Sequence, residues 1–121
     1  MAKYEVTIKE CEGTCNSNLF KKMAKNGDIT AVSIKELIGK IVNITGFASC
    51  HITTDEKDFD INYFATDEGM FSTGSQVFLE SVKNYFGTGE VDYFSIVQLK
   101  TKKGTTFKAS PILKNEEEVS E

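Results

Sequence analysis

Two kinds of side chain in this sequence could do chemistry together. Lys100, Lys102, Lys103 and Lys108 lie in the stretch 93–114, which holds five Lys and no acid. Phe47, Phe64 and Tyr93 are aromatics on runs with strand character. Ammonium groups for phosphates and flat rings for bases are what contact with a single nucleic-acid strand requires. Phe64 sits in the polar register of its run, with Asp60, Asn62 and Thr66, and Phe47 sits with Asn43 and Thr45. If the opposite registers form the core, both rings point outward as stacking platforms, and Tyr93, opening a later strand, joins them. The competing reading of the lysines is protection of an edge strand. The competing reading of Phe47 and Phe64 is a satellite core beneath the N-terminal segment. Tyr63, Phe94 and Phe107 are expected inside.

Other constellations are weaker. Cys11-x3-Cys15 and Cys50-His51 offer four soft or borderline ligands, but the first spacing is unusual and the adjacent second pair is awkward for a tetrahedral zinc site. Free thiols are expected instead, with no metal and no cofactor. Asp58 and Asp60 alternate on one strand face and could hold Mg²⁺ in a small nuclease. With one His, no Arg and no convergent base, no enzyme is expected and no residue is assigned a catalytic role. All 14 basic residues are Lys, so bidentate guanidinium readout of base edges is excluded.

The elements that must position these residues follow from periodicity. The stretch 73–86, TGSQVFLESVKNYF, carries a T-x-x-Q capping box, an apolar stripe of Phe78, Leu79, Val82 and Phe86, and stop signals at Gly87 and Gly89. It predicts a helix over 74–86. Strand-like runs at 40–48, 58–66 and 70–72 precede it, and 93–101 and 105–113 follow, joined as a hairpin through Lys102-Lys103-Gly104. Residues 51–57 read as a polar loop. Three strands, one helix, two strands is the chain order of a mostly β, five-stranded OB-fold barrel, with the helix between strands three and four. Val42, Ile44, Phe59, Ile61, Tyr63, Phe78, Leu79, Val82, Phe86 and Phe94 form its expected core. Tyr4, Val6 and Ile8 alternate as a further strand, Leu19, Phe20 and Met23 suggest a short helical turn, and Ser33-Ile34-Lys35-Glu36 is a second capping box before Gly39. The expected organisation is an N-terminal extension over 1–32 packing on the barrel, a barrel domain over 33–114, and an acidic, disordered tail over 115–121.

Charge is distributed unevenly around a net of −4. The tail carries four acids and no Lys, which leaves 14 acids against 14 Lys in the body. Residues 55–68 hold six acids and one Lys. A basic hairpin, an acidic segment and an acidic tail result. The start, MAKYEVTIKE, is unlike a signal peptide and no apolar run approaches a membrane span, so no membrane association and a cytoplasmic location are expected.

The runs SIKELIGKIVNITGF (33–47) and YFATDEGMFSTGSQVF (63–78), with the Lys-Gly hairpin followed by an aromatic, resemble small single-stranded DNA-binding proteins of tailed bacteriophages. The resemblance covers about 33–113. It implies an OB fold, binding of single-stranded DNA with little sequence preference, and a role in phage DNA replication or recombination within the host cytoplasm. The acidic end is similar to tails that such proteins direct at partner proteins. A homo-oligomer, a dimer, is the expected assembly. The alternative function is an OB-type protein–protein interaction module, an adaptor or inhibitor that binds no nucleic acid.

Overall fold

Alternating apolar and polar residues build most of this chain into one sheet. The computed structural model describes residues 4–113, so the acidic tail lies outside the described residues. The elements are β1 (Tyr4–Gly13), α1 (Asn18–Asn26), β2 (Val32–Ser33), β3 (Ile41–Thr54), β4 (Asp58–Thr66), β5 (Gly69–Thr73), α2 (Gln76–Lys83), β6 (Val91–Thr101) and β7 (Gly104–Leu113). The molecule is mostly β, and the sheet is mixed and curls into a half-barrel. All five expected strands form, with a helix between the third and the fourth.

The N-terminal segment is more ordered than its sequence suggests. It holds a nine-residue helix, α1, rather than one turn in an irregular stretch. Ser17 caps it by accepting from the amide of Phe20, and Gly27 ends it in the left-handed region. Phe20 and Ala24 are its buried face. Residues 51–54, expected in a loop, continue β3, because Ile52 is buried and both edges of this stretch are paired.

Strand β3 organises the sheet, whose order is β2-β5-β4-β3-β6-β7 with β1 also on β3. One edge of β3 takes β4. The other edge is shared: Ile41–Asn43 pair with β6, and Gly46 to Thr54 pair with β1. The handover occurs where Gly13 faces Gly46. A Cβ on Gly46 would lie 2.6 Å from the amide nitrogen of Thr14, so only glycine lets the chain cross so closely there.

A bulge between Ile44 and Gly46 decides which side chains are inside. One extra residue reverses the alternation, because side chains in a strand repeat every two residues. Val42 and Ile44 face inward, and beyond the bulge Phe47 does so instead of Gly46 and Ala48. Phe64 lies directly opposite Phe47 and turns inward with it. Both rings are 0% exposed, packed with Phe71 and Phe78 in the main core. Each fully buried Phe contributes about 1.5–3 kcal/mol. The expectation that Phe47 and Phe64 stack on bases at the surface is therefore corrected.

Strand β4 carries no bulge, and its inward register is that of Asn62 and Phe64, so Phe59, Ile61 and Tyr63 lie on the opposite face, where they are half-buried. Ile61 and Tyr63 pack against a second apolar layer that includes Cys15, Phe20, Ala24, Ala48 and Cys50. Phe59 lies under the Lys57 ammonium, 5.2 Å away. Val42, Ile44, Phe78, Leu79, Val82 and Phe94 are buried as expected, while Phe86 is half-buried with its ring edge-on to Phe47.

Helix α2 is shorter than 74–86. Its cap is Ser75, which accepts from the amide of Phe78 at 3.1 Å, while the hydroxyl of Thr73 accepts from the amide of Ser75. The half-barrel is sealed beside β7 by hydroxyls rather than by another strand. The amide of Ala109 donates to Ser81 Oγ at 2.9 Å, and Ser75 Oγ donates to the carbonyl of Phe107 at 3.4 Å. These bonds satisfy backbone groups that an open edge would leave unpaired.

Candidate nucleic-acid interface

The β6–β7 hairpin carries every surviving member of the predicted set. Phe94 and Ile96 on β6 and Phe107 and Ala109 on β7 are buried. Alternation therefore turns Tyr93, Ser95, Val97 and Leu99 outward, and with them Thr106, Lys108, Ser110 and Ile112 on β7. Lys108 sits directly across from Val97, and Tyr93 across from Ile112 on one side and Asn43 of β3 on the other. Tyr93 is 45% exposed and Ile41, at the start of β3, is 55% exposed. The outer face thus presents one ring, one cation and a strip of aliphatic side chains.

The other three lysines crown the hairpin. Lys102 and Lys103 form its two-residue turn, between the paired Thr101 and Gly104. The hydroxyl of Thr101 accepts from the amide of Lys103 and donates to the carbonyl of Gly104, which holds the turn in shape. Lys100 follows the inward parity of Phe94 and Ile96, but it lies beyond the core and is exposed. Among the described residues, the ion-paired lysines are Lys9 and Lys83; Lys100, Lys102, Lys103 and Lys108 form no ion pair. From Tyr93 to Thr101 the strand runs about 27 Å at roughly 3.4 Å per residue. Lys108 also borders a shallow hollow against α2, shared with Val77 and Glu80.

Sequence reasoning joined Tyr93 to the lysines and missed the aliphatic strip of Ile41, Val97, Leu99 and Ile112. Its signal was present: Val97 and Leu99 alternate with Phe94, Ile96 and Gln98 in the register opposite the core.

Asp58 and Asp60 do share a face, and His51 and Lys9 lie against them. His51 Nδ1 lies 2.8 Å from Asp60, its Nε2 lies 3.4 Å from Asp58, and Lys9 Nζ lies 3.1 Å from Asp60. The hydrogen bond to Asp60 holds the His51 pKa above its usual value, and that same bond holds the Asp60 carboxyl below its own. Among the described residues no group of three or more His, Cys, Asp or Glu side chains could hold a metal ion. All three cysteines are free thiols. Burial pushes Cys15 and Cys50 up to about 11, whereas Cys11 is half-buried with its Sγ donating to Asn16 Oδ1 at 3.3 Å. Among the described residues no helix is long and apolar enough to cross a membrane. Comparison with protein-family models, curated proteins and solved structures finds no match to this chain.

Proposed function

We propose that this protein binds single-stranded DNA without sequence preference, using the β6–β7 hairpin of an OB-type barrel formed by β3 to β7. The order β5-β4-β3-β6-β7, with α2 between the third and fourth of these strands, supports the barrel type. OB barrels take ligand on the face of their second and third strands and on the loops after strands one and four. Here the outer face of β4 and β5 packs against the N-terminal segment, and the first of those loops, Asp55-Glu56-Lys57, is acidic. The second loop is the Lys102-Lys103 turn. The observation that carries the proposal is this hairpin: four exposed lysines without ion pairs among the described residues, Lys108 on the outer face with the exposed Tyr93 and the other three at the tip. Lysine ammonium groups contact phosphates as point charges, and with no Arg in the chain no guanidinium fork reads base edges, which favours binding without sequence preference. The resemblance of 33–113 to phage single-strand binders supports a role in DNA replication or recombination, with the acidic tail directed at proteins of that machinery.

A protein-interaction module is the second reading, favoured by the aliphatic strip that flanks Tyr93. Titration of labelled oligo-dT across a salt series separates the two. Four lysine–phosphate contacts give a log–log slope of about −2.8, at roughly 0.7 per contact for a single strand. The double variant Lys102→Ala/Lys103→Ala should bind every sequence more weakly and flatten the slope by about 1.4. Tyr93→Ala should weaken binding by about 1–3 kcal/mol and leave the slope unchanged, because stacking releases no counterions. Absence of binding, or a double variant equal to wild type at every salt concentration, overturns the proposal and leaves the protein-interaction reading.

A further inference from the structure

Among the described residues, strand β1 is paired along one edge only, to β3. Its other edge borders an open groove of about 500 Å³, walled by β1 from Val6 to Cys11 and by Lys21 and Lys25 of α1. The charges on the β1 wall are answered within the fold. Lys9, at the irregularity between Ile8 and Glu10, lies 3.1 Å from Asp60, and Glu10 lies 2.6 Å from Lys83. Lys21 and Lys25, one turn apart on α1, form no ion pair among the described residues. A row of unpaired backbone groups beside two such lysines suits an extended acidic segment.

The topology aims one segment of that kind at the groove. Strands β1 and β6 lie end to end on the same edge of β3, since Gly13 pairs with Gly46 and Tyr93 with Asn43. Strand β7 lies outside β6 and runs parallel to β3, because each is antiparallel to β6. Leu113 stands opposite Val91, level with the junction of β1 and β6. The direction of β7 there leads past the junction toward the unpaired edge of β1. The stretch that follows, 114–121, reads KNEEEVSE and carries four acids. Fully extended it reaches about 27 Å at roughly 3.4 Å per residue, and β1 from Gly13 back to Val6 spans about 24 Å.

We propose that residues 114–121 lie along the unpaired edge of β1 in the same molecule, antiparallel to it, with Glu116, Glu117 and Glu118 against Lys21 and Lys25. Charge, length and point of departure all match this occupant. Tethering also gives it an effective concentration at the groove that a separate acidic peptide lacks. A partner that takes the tail must first lift it from β1. The inference does not rest on what the hairpin binds.

Residue-resolved hydrogen exchange by NMR tests it on the full chain. Alternate amides of β1 point away from β3, and those between Val6 and Glu12 should exchange about tenfold or more slowly than in the charge variants. The first variant is Lys21→Glu/Lys25→Glu and the second is Glu116→Lys/Glu117→Lys/Glu118→Lys. Each should remove the protection, and the two sets combined in one chain should restore it. Amides bonded to β3 should stay protected throughout, which reports an intact fold. Fast exchange of the outward amides in the wild type overturns the proposal. So does protection that survives Lys21→Glu/Lys25→Glu, that the combined variant fails to restore, or that rises with protein concentration, the mark of a second copy.

Discussion

Replacing Phe64 by Ala tests the inward register of β4. The Phe64 ring is 0% exposed, stacked 5.1 Å from Phe71, edge-on to Phe78 at 5.0 Å and 6.5 Å from Phe47. Truncating a buried Phe costs about 3–5 kcal/mol, because transfer energy is lost and the cavity closes only in part. A site held by three other rings has little freedom to collapse, which places this one in the upper part of that range. Domains of this kind hold only about 5–15 kcal/mol in total. The variant should therefore melt roughly 10–20 °C below wild type, and its urea midpoint should fall with little change in slope. Well below its melting point it should bind oligo-dT with the wild-type salt slope. Tyr93→Ala should behave in the opposite way, with stability changed by no more than about 0.5 kcal/mol and binding weakened. Urea denaturation followed by fluorescence, beside the same titration, reads both. A Phe64→Ala protein within about 1 kcal/mol of wild type that has lost affinity would place the ring outside and refute the inward register.

Two further predictions concern titrating groups. His51 is the only histidine, so its NMR titration is unambiguous, and its pKa should exceed the ordinary 6.5. A raised folded value means that the stabilisation from the His51–Asp60 pair is complete below about 6.5 and is lost as pH rises through the folded pKa. The lowered Asp60 pKa sets the acid limit, where the pair is lost as pH falls through it. Asp60→Asn should return the histidine toward 6.5; an unshifted wild-type His51 would contradict the geometry. For the thiols, alkylation followed by mass spectrometry should modify Cys11 first, and Cys15 and Cys50 only after unfolding, because burial holds the latter two near 11. Equal labelling of all three in the folded protein would refute their placement.

What the sequence determined alone was whatever rests on local pattern. Alternation marked the five strands from 40 to 113, the apolar stripe of Phe78, Leu79 and Val82 marked α2, and the Lys102-Lys103-Gly104 turn marked the hairpin. Charge needed no tertiary information either, since an acid-free run along a hairpin is basic however it folds. The inside and outside of β3 and β4 were different. A single inserted residue between Ile44 and Gly46 reverses parity for everything beyond it, and whether a bulge forms depends on how the neighbouring strand pairs. Phe47 was therefore assigned to the surface, and Phe64 was assigned there because the other register of its run, Ile61, Tyr63 and Ala65, is the more apolar one, yet that register packs in the second layer. The segment before residue 33 shows the same limit. Phe20 and Ala24 have little to bury in isolation, and α1 gains its apolar partners only because β1 adds to the edge of β3 and brings the helix over Tyr63. Tertiary structure alone decided that this segment would cover the outer face of the sheet, leaving the basic hairpin exposed.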